Sequence, residues 1–161
     1  MRVLIVCDME GISGIARLEQ VHPAGSARYE EGRRLYTEDV NAAVRGACAA
    51  GATEVFVADR HGSGGSAAFR FYSLLPDLLD PRCVYVVIEG SGEDNQRRFE
   101  EGCDAALFIG MHARAGSPRG VLAHTISSSW RNLWFNGTLV GETAIYACLL
   151  YTSDAADDLT R

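Results

Sequence analysis

The chain has 161 residues, 47% of them hydrophobic and 22% charged, with 17 Gly against 4 Pro, which suits a globular domain and excludes a fibre or a disordered tail. Folding at this length buries roughly 68–70% of the unfolded surface, so no metal or disulfide is needed merely to fold. With 15 basic against 21 acidic side chains and a formal charge of −6, the chain has no electrostatic footprint for a nucleic-acid partner.

Val3-Leu4-Ile5-Val6-Cys7 is an unbroken apolar run closed by Asp8 and Glu10. It is too short for an export signal and fits a strand buried on both faces of a parallel sheet. No later stretch approaches the ~20 apolar residues that span a bilayer. Five widely spaced cysteines, Cys7, Cys48, Cys83, Cys103 and Cys148, read as reduced, mostly buried small hydrophobes. The expectation is a cytoplasmic protein with no membrane partner.

Tyr36, Val40, Ala43, Val44 and Ala47 recur at helical spacing, and Gly51 stands where a left-handed C-terminal cap belongs, predicting a helix over about 30–50. Residues 54–58 predict a second buried strand, ending at Asp59, Arg60 and His61 before the glycine-rich turn 62–65. Strand, helix and strand in that order imply a right-handed parallel crossover. A third strand is expected over 84–88, a helix over 92–102, and a fourth strand over 105–109 that runs into Gly110, Met111 and His112. Residues 121–126 and 133–140 look extended, and Asn136-Gly137 is a hairpin signal. Asn136-Gly137-Thr138 also matches a glycosylation acceptor, but without an export signal the turn reading is preferred. A helical pattern resumes at Glu142.

The predicted class is therefore α/β: a mostly parallel sheet flanked by helices, with an added β-hairpin near residues 121–140. Residues 1–150 are expected to form a single, C-terminally truncated domain. The tail 151–161 lacks an apolar face and reads as foreign to the gene.

Ligands of an open parallel sheet bind beyond the carboxyl ends of its strands. Three such ends are polar here: Asp8 and Glu10 after the first strand, Asp59 and His61 after the second, His112 and Arg114 after the fourth. Each residue has a bland alternative. Asp8 alone could cap a helix, His61 could lie on the surface, and His112 could bond a neighbouring carbonyl. Glu142 could merely answer a helix dipole, and His124 could be a core histidine. His22 reads as surface. Glu10 shifts the balance, because two acids one residue apart, followed by Gly11 and Gly14, can turn both carboxylates toward one point.

If Asp8, Glu10, Glu142, His61 and His112 converge, three carboxylates and two imidazoles form a mixed O/N set suited to zinc, with manganese or cobalt behind it. Five donors exceed one catalytic zinc site. Two ions bridged by Asp8, ~3.5–4 Å apart, fit better and would polarise a carbonyl and activate water.

At these residues the chain resembles the D-aminopeptidase family of binuclear zinc peptidases. The matching segments are Asp8-Met9-Glu10-Gly11-Ile12-Ser13-Gly14, Thr37-Glu38 with Asn41, Asp59-Arg60-His61-Gly62, Gly110-Met111-His112-Ala113-Arg114-Ala115, Gly120-Val121 leading to His124, and Gly141-Glu142, covering about residues 1–147. The resemblance implies two Zn2+ per chain, with Asp8 bridging, Glu10 and His61 completing one site, and His112 and Glu142 the other. It implies a catalytic role for His124, which suits an imidazole that acts as base or proton shuttle. It also implies a short peptide substrate with an N-terminal D-amino acid, typically D-alanine, and a ring-shaped homo-oligomer of the full-length protein. Alternatives are a metal-dependent phosphoester hydrolase, with 62–65 cradling phosphate, or an inactive metal-binding fragment.

Overall fold

The computed structural model of the chain describes residues 1–22, 27–61, 73–86, 102–145 and 147. The architecture is α/β, and the chain divides into two compact units, Met1–Met111 and His112–Arg161.

In the first unit, β1 (Arg2–Cys7) is buried on both faces from Val3 to Cys7, which is why its sequence is apolar without alternation; Leu4, Ile5 and Cys7 are fully buried. With β2 (Glu54–Asp59), β3 (Cys83–Val86) and β4 (Ala105–Ile109) it makes a four-stranded parallel sheet in the order β3-β2-β1-β4. Cys7 pairs with Asp59 on one side and Ile109 on the other, so the carboxyl ends of three strands are level. Two bonds carry the ladder past the last pairs: Asp8 N–H donates to the Ile109 carbonyl at 2.9 Å, and Arg60 N–H to the Cys7 carbonyl at 2.8 Å.

Helix α1 (Ala27–Ala49) buries Tyr36, Val40, Val44 and Ala47, as their spacing predicts; Ala43 of the same series is only half-buried, and Tyr29, ahead of the predicted start, is buried as well. Gly51 adopts φ +92°, and Ala52 N–H reaches the Ala47 carbonyl at 3.0 Å, closing the helix as a left-handed cap should. Two polar residues of α1 tie down the segment ahead of β3. Thr37 Oγ1 accepts from Leu75 N–H at 3.1 Å, while Asn41 donates to the Leu78 carbonyl and accepts from Asp80 N–H. The expected third strand ends at Val86 within the described residues. Its last two positions, the turn 62–65 and the helix over 92–102, apart from Gly102, lie outside them.

In the second unit, β5 (Leu133–Phe135) and β6 (Thr138–Val140) pair antiparallel around Asn136 and Gly137. Their positive φ angles, +48° and +77°, are those of the tight hairpin turn that Asn-Gly favours. Residues 142–145 are helical, as expected. Residues 121–126 are not extended: Leu122 and Ile126 have φ +49° and +58°, and Thr125 makes only an isolated bridge to Ser127. The segment is tied elsewhere: His124 N–H donates to the Ala113 carbonyl at 3.2 Å, and the Thr125 side-chain hydroxyl accepts from Ala115 N–H at 3.0 Å. Among the described residues no helix is long and apolar enough to cross a membrane, and the four described cysteines are unpaired.

Candidate metal centre

Asp8 and Glu10 leave β1 on a backbone turn that only a glycine permits. Gly11 N–H donates to the Gly110 carbonyl at 2.7 Å, and a Cβ on Gly11 would overlap the Met111 carbonyl. The close approach keeps Asp8 and Glu10 at 4% and 8% exposure. One Asp8 oxygen accepts from Met9 N–H at 2.7 Å, which orients the carboxylate.

His61, two residues beyond β2, meets these acids. Its Nδ1 lies 3.1 Å from Glu10 Oε2 and 3.5 Å from Asp8 Oδ1, and its Nε2 is 2.7 Å from the Val21 carbonyl. A carbonyl can only accept, so Nε2 carries a proton and, in the neutral ring, Nδ1 turns its lone pair toward the two acids. One ligand atom each from Asp8, Glu10 and His61 lies within 4.8 Å of the others. Burial alone would lower the basicity of His61, but bonds to Asp8 and Glu10 overcome it and push its pKa up to about 10. Two buried carboxylates thus hold positive charge in place as a proton. A divalent cation with O/N preference fits the same position and donor set.

The second unit holds a similar group. His112 Nε2 is 3.1 Å from Glu142 Oε1, and its Nδ1 is 3.1 Å from the Ala113 carbonyl, so the neutral ring turns its lone pair toward Glu142. The other Glu142 oxygen accepts a short bond from Ile126 N–H, and Glu142 is only 8% exposed. His124 stacks on His112 with ring centroids 3.8 Å apart and planes 15° from parallel. Its Nδ1 bonds the Leu122 carbonyl at 2.8 Å, leaving Nε2 as the acceptor. A buried acid between an imidazole lone pair and a backbone donor again suits a cation.

All six singled-out residues therefore fall into two groups: Asp8, Glu10 and His61 in the first unit, His112, His124 and Glu142 in the second. His22 is exposed, as expected. Sequence reasoning missed the residues behind these donors. Tyr36 reads as one more apolar residue on a helix face, yet its hydroxyl donates to Asp59 at 2.9 Å. Burial and the Asp59 charge raise the Tyr36 pKa, keeping it a proton donor. Thr125 is fully buried and carries no motif signal, and the Val21 contribution is backbone, invisible in a side-chain pattern.

The sequence profile of the D-aminopeptidase peptidase family M55 matches residues 1–155. The D-aminopeptidase of Bacillus subtilis (strain 168) is 33% identical over 151 residues, which cover 91% of this chain and 50% of that protein. The solved structure described as Zn-dependent D-aminopeptidase DppA from Bacillus subtilis, a self-compartmentalizing protease, matches with a TM-score of 0.75 at 29% identity, over 93% of this chain and 52% of its own. The chain thus spans about half the length of the relatives it matches. With residues 1–155 matched and its buried O/N donors in two groups, the chain belongs to the D-aminopeptidase family.

Proposed function

We propose that the chain carries the metal-binding portion of a zinc aminopeptidase that removes an N-terminal residue, a D-amino acid such as D-alanine, from short peptides. The observation that carries this reading is the meeting of buried Asp8 and Glu10 with His61 Nδ1, a donor set that demands a cation. Family membership and the Zn-dependent relative support zinc as that cation. In this reading Glu10 and His61 would hold one ion, His112 and Glu142 would hold the other, and Asp8 would serve both.

A zinc pair, when bound, supplies Lewis acidity toward a carbonyl oxygen and acidifies water. The side chains do the rest. Val21 and Ala113 take the outer N–H of His61 and His112 and so present the opposite nitrogen to the site. Leu122 does the same for His124, whose Nε2 is left to receive a proton from water and deliver it to the leaving amine. The self-compartmentalizing relative supports a homo-oligomeric assembly of the longer protein.

Metal quantification on the purified chain, beside assays with D-alanyl dipeptides, L-alanyl dipeptides and a generic phosphate ester, tests the reading. Two zinc equivalents with release of D-alanine are expected. Turnover of the phosphate ester alone would replace the aminopeptidase with a phosphoesterase, and zinc without any turnover would leave a binding fragment.

A further inference from the structure

Asp59 ends β2 at 1% exposure, and among the described residues its carboxylate accepts from donors of α1, β3, the turn after β2 and the segment ahead of β3. Oδ1 accepts from the Tyr36 hydroxyl of α1 at 2.9 Å and from the His61 backbone N–H at 3.0 Å. Oδ2 accepts a short bond from Ser73 Oγ and one of 3.2 Å from the Tyr85 hydroxyl of β3. Ser73 is itself held, since Arg33 Nε donates to its carbonyl at 3.2 Å.

The bond from His61 N–H to Oδ1 closes a local turn, in which an Asp side chain captures the backbone two residues on. It fixes the backbone of His61, while the Val21 carbonyl fixes the far tip of its ring. Between those two points the imidazole has little freedom, and Nδ1 faces Asp8 and Glu10. We propose that Asp59 is a positioning residue that aims His61 at the metal site, and that Tyr36, Ser73 and Tyr85 serve to hold Asp59. The inference rests on the zinc reading above. It assigns a role to a buried carboxylate that is not among the metal donors.

Zinc affinity of the 161-residue chain, measured by competition with a chromophoric chelator and read beside thermal unfolding, tests it. Asp59→Ala removes both acceptor oxygens, including the one that holds the His61 backbone N–H. It is expected to unfold cooperatively but to hold zinc at the Asp8–Glu10–His61 site about 10–100-fold more weakly, as removal of outer partners of metal ligands does. In a His61→Ala background the same substitution should add nothing, because its effect passes through His61. A further loss in that background would show a general packing role and overturn the proposal. Should Asp59→Ala not fold, Tyr36→Phe decides: weakened zinc binding in a folded variant supports the proposal, and unchanged binding overturns it. Wild-type uptake matched by folded Asp59→Ala removes this inference alone, whereas a wild-type chain that takes up no zinc removes the metal reading and this inference with it.

Discussion

The two donor groups achieve the same local chemistry, buried carboxylates beside oriented imidazoles, on different backbones. In the first unit Asp8, Glu10 and His61 stand at the ends of paired strands, where the ladder that registers Cys7 with Asp59 fixes the starting points. In the second, His124 sits in a loop between Leu122 and Ile126, both in the left-handed region that non-glycine residues rarely adopt. Nothing repetitive holds that loop. Its shape depends on single bonds from Ala115 to Thr125, from His124 to Ala113 and from Ile126 to Glu142. Strand ends inherit precision from many bonds, whereas a loop site is only as precise as its few tethers.

The largest expected effect breaks the equivalence of the groups. In the proposed centre Asp8 serves both ions, so Asp8→Ala should remove both zinc equivalents and abolish peptide hydrolysis. Retention of two equivalents, by elemental analysis, would refute the bridging role. Glu142→Gln, by contrast, should cost one equivalent.

A second experiment probes the tethered loop. Thr125→Val keeps the volume but strips the acceptor from Ala115 N–H. It should lower kcat roughly 10–100-fold through misplacement of His124, cost about 1–2 kcal/mol of stability, and leave zinc content intact. Thr125→Ser should restore activity. Equal kcat in the Val variant would show that the tether does not position His124.

The first unit has a pH signature of its own. The pKa of His61 in the folded, metal-free chain, about 10, lies above its ordinary 6.5. Contacts of the protonated ring with Asp8 and Glu10 therefore stabilise that chain fully below pH 6.5 and are lost as pH rises toward 10. Thermal unfolding of chelator-treated protein should show a midpoint falling across this window, and His61→Ala should flatten it. Because zinc must displace that proton, its apparent affinity should rise over the same range.

The smallest effect is expected in the hairpin. Trp134 is 62% exposed, and Trp134→Ala should change stability by only about 0.5 kcal/mol or less. Leu4→Ala, a full deletion in the sheet core, should cost about 2–5 kcal/mol. Chemical denaturation of both variants checks the contrast between the units.

Much of this was legible beforehand because it rests on local pattern. The unbroken apolar runs of β1 and β2, the helical spacing of α1, the Gly51 cap and the Asn136-Gly137 turn each follow from backbone preferences within a few residues. The grouping of Asp8 and Glu10 with His61, and of His112 with Glu142, was legible for a related reason: acids and imidazoles just past strand ends or at a helix start fall where such sheets bind ligands. The segment 121–126 was not. Its Val121-Leu122-Ala123 run looks extended, but bonds to residues 113 and 115 hold the His124 N–H and the Thr125 hydroxyl, and no local pattern encodes a partner ten or more residues away.

The sequence by itself determined the strands β1, β2 and β4 and the helix α1, and which acids and imidazoles follow the strand ends. Only the tertiary structure decided which nitrogen of each imidazole faces the acids, since that depends on the carbonyls of Val21, Ala113 and Leu122. It also decided that Asp59 backs His61 with hydroxyls from Tyr36, Ser73 and Tyr85. Strand and helix propensities are short-range and are written in neighbouring residues. Proton placement and carboxylate support depend on groups brought together from distant parts of the chain.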